Sequence, residues 1–151
     1  MAAHLHTIKV RYGESDQMGV AHHAAYVTWF EECRIEMMRS LGVSYRELEE
    51  RGVLMPVVEL SVRYRRSLRF DDIASCATSA RLAGPSRVVF STVVSRDGTV
   101  CAEAEVTVVA TGKDGRPQRV PGDLVARFAD SATPAAPSGA HGAADGAVRS
   151  D

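Results

Sequence analysis

Lysine is nearly missing from this chain: Lys9 and Lys113 are the only two, and the basic side is otherwise arginine. Arginine's planar fork suits phosphate, although an excess of it also follows from coding bias alone. Net charge is −1, so there is no global basic field of the kind that draws nucleic acid or acidic membranes. Aromatic content is only 6%, without the interleaved aromatic platform of a single-strand binder. Cysteine is scarce too. The three thiols, Cys33, Cys76 and Cys101, are odd in number and lack metal-ligand spacing. They read as buried thiols in a reduced, cytoplasmic setting, with no metal and no cofactor expected. No apolar run approaches the roughly 20 residues of a membrane span. The N-terminus MAAHLHTIKV lacks a signal-peptide core.

What remains is ordinary globular material. With 151 residues and 45% hydrophobic content, the chain is long enough for one domain with a buried core. Residues 5–12 alternate loosely and read as a strand. Residues 13–22 carry Gly13, Asp16 and Gly19 and read as a loop. The period then changes. Tyr26, Phe30, Cys33, Met37 and Leu41 recur at spacings of three and four, with Trp29 beside them, which predicts a helix over residues 24–41. Glu31, Glu32, Arg34, Glu36 and Arg39 fall on its remaining surface as a solvated, salt-bridged face. Gly42 is placed to end it. Ser44 and Glu47 make a capping-box start for a short second helix.

Four strands follow, over residues 57–70, 73–82, 88–95 and 100–111. They are separated by Asp71-Asp72, by Gly84-Pro85-Ser86 and by the hairpin signal Asp97-Gly98. Short turns predict an antiparallel meander with sequential strands as neighbours. The sum is an α+β fold, one long helix laid across an antiparallel sheet. Val89, Val93 and Val109 are expected on the opposite face, and a homodimer or homotetramer would cover such a face and the sheet edges. Residues 121–129 read as a last helical turn. The domain is expected to span residues 1–130. The Ala/Gly/Pro-rich remainder, residues 131–151, cannot bury enough surface to order itself and is expected to be disordered.

The chemistry concentrates before the long helix. Asp16 sits in a glycine-bracketed loop, and its bland role is an Asx-turn or a helix cap. The sequence His22-His23-Ala24-Ala25-Tyr26 supplies no Ser, Thr or Asn to cap the helix, which leaves first-turn N–H groups for a ligand oxygen. A helix N-terminus carries roughly half a positive charge and suits an oxyanion. His23 is balanced between orienting substrate beside Asp16 and being packed or hydrogen-bonded at the helix start, and His22 reads as the latter. The His pair lacks the partners of a zinc site. Glu59 lies on the polar side of its strand as a secondary candidate. The run VRYRRSLRF gathers Arg63, Arg65, Arg66 and Arg69, read as surface ion pairs or as a phosphate clamp; strand alternation keeps Arg65 and Arg66 on opposite faces.

The segment RYGESDQMGVAHHAAYVTWFEECRIEMMRSLG resembles the opening of the hotdog-fold acyl-CoA thioesterases of the 4-hydroxybenzoyl-CoA thioesterase-like type. The matching features are the Asp of ESDQMG, Gly19, the His-x-x-Tyr at His23 to Tyr26 and the FEECR run. VRYRRSLRFDD is similar to the family's second-strand motif. The resemblance covers about residues 7–125. It implies a sheet wrapped around the long helix and a site at a dimer interface. It also implies Asp16 as base or nucleophile and a backbone N–H near His23 as oxyanion donor. Gly19, Val20 and Tyr26 would line the substrate site with Glu59, and Arg65 or Arg66 would meet CoA phosphates. Relatives commonly carry Asn directly before the Tyr, where this chain has Ala25. The expected activity is hydrolysis of an acyl-CoA to free acid and CoA. Alternatives on the same fold are an acyl-CoA hydratase or dehydratase, or a non-catalytic acyl-CoA-binding protein.

Overall fold

In a computed structural model, which describes residues 3–129, the chain forms strand β1 (His4–Lys9), helices α1 (Ala25–Ser40) and α2 (Tyr45–Glu50), strands β2 (Val57–Tyr64), β3 (Ile73–Leu82), β4 (Arg87–Arg96) and β5 (Thr99–Val109), and helix α3 (Gly122–Ala129). The expectation for residues 131–151 lies outside the described residues. All strands join one antiparallel sheet in the order β1-β3-β4-β5-β2.

α1 forms where the period predicts and buries Tyr26, Trp29, Phe30, Cys33, Met37 and Met38 against β1, β3 and β4. The helix brings the bulk and the sheet beneath it supplies small residues: Ala74, Cys76, Ala80, Ala102 and Ala104 all line the covered face. Large side chains from one layer fill the space that small ones leave in the other, as dense packing requires. Across the middle of that face the hydroxyls of the paired Thr78 and Thr92 bond at 2.9 Å, so the two polar groups are satisfied where water is excluded.

Gly42, at φ +78°, ends α1 as expected. A side chain there would meet the Arg127 guanidinium at 2.6 Å. That guanidinium donates to the Leu41 carbonyl and so ties α3 to the C-terminus of α1. Ser44 caps α2 by accepting the Glu47 N–H at 3.2 Å.

Four expectations need correction. β2 does not neighbour β3; it pairs with β5, from Val57↔Val108 to Tyr64↔Ala102. The strand read over residues 57–70 stops at Tyr64, and residues 65–72 become a crossing link. β2 and β3 lie three strand spacings apart, roughly 14 Å, and eight extended residues reach up to roughly 26 Å. The link is pinned midway by Leu68, which is fully buried. Arg34 is not on a solvated face. It is 7% exposed, with Nε donating to the Tyr45 hydroxyl at 3.2 Å and the guanidinium 5.9 Å from the Phe90 ring centroid. Val89 and Val109 are buried on the outer face, and the exposed apolar stripe instead follows edge strand β2 at Val57, Val58, Leu60 and Tyr64.

Candidate active site

Between β1 and α1 the chain makes a single 3-10 turn (Tyr12–Glu14) and then folds back on itself. Ser15 bridges Ala21, the Asp16 N–H donates to the Val20 carbonyl at 2.9 Å, and the His22 N–H donates to the Glu14 carbonyl at 2.7 Å. The reversal needs a left-handed residue at its tip, and Gly19 supplies it at φ +77°. The loop is held from outside by the crossing link. The Ala21 N–H donates to the Leu68 carbonyl at 2.7 Å, and Val20 bridges Arg69.

Asp16 is half-buried in this loop. Its Oδ1 accepts the Met18 N–H at 2.8 Å and the Val20 N–H at 3.4 Å, an Asx-turn that fixes the carboxylate's direction. Oδ2 has no hydrogen-bond partner among the described residues. The bland and the chemical readings of this residue therefore coexist: one oxygen builds the turn and the other is available.

At the helix entrance His22, not a hydroxyl or amide residue, does the capping. Its Nδ1 accepts the Ala24 N–H at 3.1 Å and its carbonyl accepts the Ala25 N–H at 2.9 Å. An accepting Nδ1 carries no proton, which sets the Nε2–H tautomer. The His23 N–H, by contrast, has no acceptor among the described residues. The His23 carbonyl accepts the Tyr64 hydroxyl at 2.8 Å, so β2 holds this peptide from the other side. The two imidazoles stack, with centroids 4.2 Å apart and an interplanar angle of 30°.

The remaining candidates separate. Gly19 and Val20 belong to the Asp16 loop. Tyr26 does not line an open surface: it is 2% exposed, packed edge-on to Tyr64 at 5.1 Å, and its phenol is pushed up to about 12 by burial and then by the nearby Cys101. The aromatic neighbours Trp29 and Phe30 draw it into the core. Glu59 points to the outer face of β2, away from α1, in register with Thr107. Arg65 gives Nε and Nη2 to Glu103 Oε2 at 3.0 and 2.8 Å, which leaves its charge largely answered within the chain. Arg66 is exposed, with its backbone N–H on the Cys101 carbonyl at 3.0 Å. Arg69 reaches the loop tip, where a Cβ on Gly19 would lie 3.7 Å from its Nη1. Among the described residues no group of three His, Cys, Asp or Glu is placed to share a metal.

The sequence reading passed over Glu14 and Tyr64. Glu14 accepts the Trp29 indole N–H at 2.8 Å and the Arg11 N–H at 2.8 Å. Burial alone would push its carboxyl up, but these N–H donors and the Arg11 guanidinium outweigh it and hold the carboxyl below its usual range. The one available signal was its spacing of two residues before Asp16.

Among the described residues, one short segment thus carries an unpartnered carboxylate oxygen at Asp16 and an N–H without acceptor at His23. A family model described as the thioesterase-like superfamily matches residues 10–128. The acyl-CoA thioester hydrolase YbgC of Escherichia coli is 32% identical over 123 residues, 80% of this chain and 92% of that protein. YneP of Bacillus subtilis is 42% identical over 67 residues, so that match spans 44% of this chain and about half (49%) of YneP. Among solved structures, the DHNA-CoA thioesterase of Staphylococcus aureus superposes with a TM-score of 0.80 at 27% identity, covering 85% of this chain and 90% of that one.

Proposed function

The chain belongs to the thioesterase-like superfamily, and from that premise we propose that it is an acyl-CoA thioester hydrolase with Asp16 as its carboxylate and the His23 N–H as its oxyanion donor. The fold is the hotdog fold, as expected from the sequence. The observation that carries the assignment of residues is the division of labour in one closed loop. Asp16 Oδ1 is fixed by two N–H groups and Oδ2 is not, while the same loop delivers an unclaimed N–H at the start of α1.

The thioester carbonyl oxygen sits on the His23 N–H, where the α1 dipole adds to the stabilisation of the developing negative charge. Asp16 Oδ2 attacks the carbonyl carbon, the C–S bond breaks and CoA leaves as the thiolate. Water then cleaves the resulting acyl-aspartyl anhydride to free acid and carboxylate. In the alternative route Asp16 takes a proton from a water that attacks directly. Gly19 and Val20 shape the loop backbone around the substrate. Tyr26 supports the helix entrance from below, and the exposed Arg66 is the better placed of the two arginines for a CoA phosphate, since Arg65 is engaged by Glu103.

The apolar stripe on β2 suits a second copy of the chain, which makes a homodimer the minimal unit, alone or within a homotetramer. No helix among the described residues is long and apolar enough to cross a membrane, and a cytoplasmic setting accords with three unpaired, buried thiols. The test is thiol release over a panel of aromatic, short and long acyl-CoAs, with an enoyl-CoA hydration assay beside it. Thiol release is expected; hydration without thiol release, or tight binding without turnover, would refute the reading. Single-turnover product formed in heavy-oxygen water distinguishes the routes. Label in Asp16 after repeated turnover indicates the anhydride.

A further inference from the structure

We propose that Glu14 is the positioning residue of this site, holding the Asp16 loop against α1 through its hydrogen bond to Trp29. This rests on the thioester hydrolase reading above and deepens it. Glu14 is where three pieces of chain meet. Its Oε1 accepts the Arg11 N–H at 2.8 Å, at the end of the β1 segment. Its Oε2 accepts the indole N–H of Trp29 at 2.8 Å, from the second turn of α1. Its own carbonyl accepts the His22 N–H at 2.7 Å, at the closing end of the loop.

Both carboxylate oxygens are thus occupied and the side chain is only 11% exposed, so Glu14 is not itself placed to attack a substrate or activate water. Its leverage is positional. Asp16 lies two residues beyond it, and His23 directly follows the residue bonded to its carbonyl. Trp29 is 2% exposed and fixed in the core, so the indole is a rigid anchor. A displacement of about 1 Å between a reacting group and its carbonyl target costs up to about 10²-fold in rate, which is the scale this link controls. The only charged group within ion-pair range of the carboxylate among the described residues is Arg11, at 3.3 Å; Trp29 brings none.

Two variants test this. Glu14→Gln keeps the size but offers one acceptor to two N–H donors, so one of the two side-chain bonds must break. Trp29→Phe keeps an aromatic ring and loses the indole N–H. With the best acyl-CoA of the panel, each is expected to lower kcat by about 10- to 100-fold with KM little changed. The double variant should be no slower than the slower single one. Because Trp29 is the single tryptophan, its emission reports the bond directly. In the wild type, emission should step as pH falls below the ordinary carboxylate range, before far-UV dichroism is lost. Glu14→Gln should abolish that step.

A wild-type kcat in either folded variant overturns the proposal, and so does an emission step that survives in Glu14→Gln. If Glu14→Gln does not fold, Trp29→Phe alone decides the kinetic question. Failure of the thioesterase reading looks different: the wild type releases no thiol from any acyl-CoA while its emission step stays intact, and the positioning role falls with it.

Discussion

Replacing Asp16 separates its two roles. In Asp16→Asn the side-chain oxygen can still accept the Met18 and Val20 N–H groups, so the turn survives. What changes is the charge on the acceptor. Charge-assisted bonds are about twice as strong as neutral ones, and a typical bond nets about 0.5–1.5 kcal/mol. For two bonds at a half-exposed loop, one of them long at 3.4 Å, the loss should be about 0.5–1 kcal/mol. That lowers Tm by on the order of 2–5 °C in a domain of this size. The rate loss is of another order. Removing a catalytic base costs about 10²–10⁴-fold, and removal of a nucleophile closes its route altogether. Asp16→Ala removes both roles, leaves the two N–H groups to water, and should cost about 1–2 kcal/mol with the same loss of turnover. The assay is thiol release from the preferred acyl-CoA, paired with thermal melts of wild type, Asp16→Asn and Asp16→Ala. Turnover within tenfold of wild type in a folded Asp16→Asn protein would refute the assignment of this carboxylate. Equal Tm losses in both variants would refute the description of the turn.

Three further outcomes are expected. Gly19→Ala should cost about 1–2 kcal/mol, because φ is +77° while the nearest atom to the new Cβ stands 3.7 Å away; the strain is in the backbone, and Gly19→Asn should recover part of it in thermal melts. Leu68→Ala should cost about 2–5 kcal/mol in urea unfolding, since it empties a fully buried position, and should slow turnover because the Leu68 carbonyl holds the loop at Ala21. Stability should also fall in acid through Glu14. Its folded carboxyl titrates below the ordinary value of about 4.3, so its contribution is complete above that pH and is lost as pH drops through the depressed value. Urea unfolding at a series of pH values should show that limb flattened in Glu14→Gln.

How much of this was legible follows the range of the forces involved. α1 and the Asp97-Gly98 hairpin were legible because their signals lie within a few residues: a repeat of three and four, and a turn that needs positive φ at Asp97 and Gly98. The turn-building place of Asp16 was legible from its glycine bracket. The partner of β2 was not, because adjacency depends on where a link of eight residues lands, and that is decided by the burial of Leu68. Arg34 misled because a helical arginine among glutamates reads as surface, and only Tyr45 and Phe90 reveal its enclosed place. A packing or hydrogen-bonding role for His22 at the helix start was legible, and the structure adds which atoms bond: Nδ1 and the carbonyl. The Glu14–Trp29 bond joins positions 15 apart across a loop and has no periodic signature.

The strand order also imposes a sequence of events in time. β3 and β4 meet through contacts such as Thr78 with Thr92, 14 positions apart, and can zip from a short turn. β2 is made earlier but must wait for β5; Arg65 and Glu103 alone are 38 positions apart. β1 has farther still to reach, since His4 pairs with Thr78 across 74 positions. Closing loops of this size is entropically slow, so the apolar stripe of β2 stays unpaired until the hairpins behind it exist. The crossing link cannot settle before β2 does, and the Asp16 loop rests on that link. During folding, competence for chemistry should therefore arrive last, after most of the sheet is already in place.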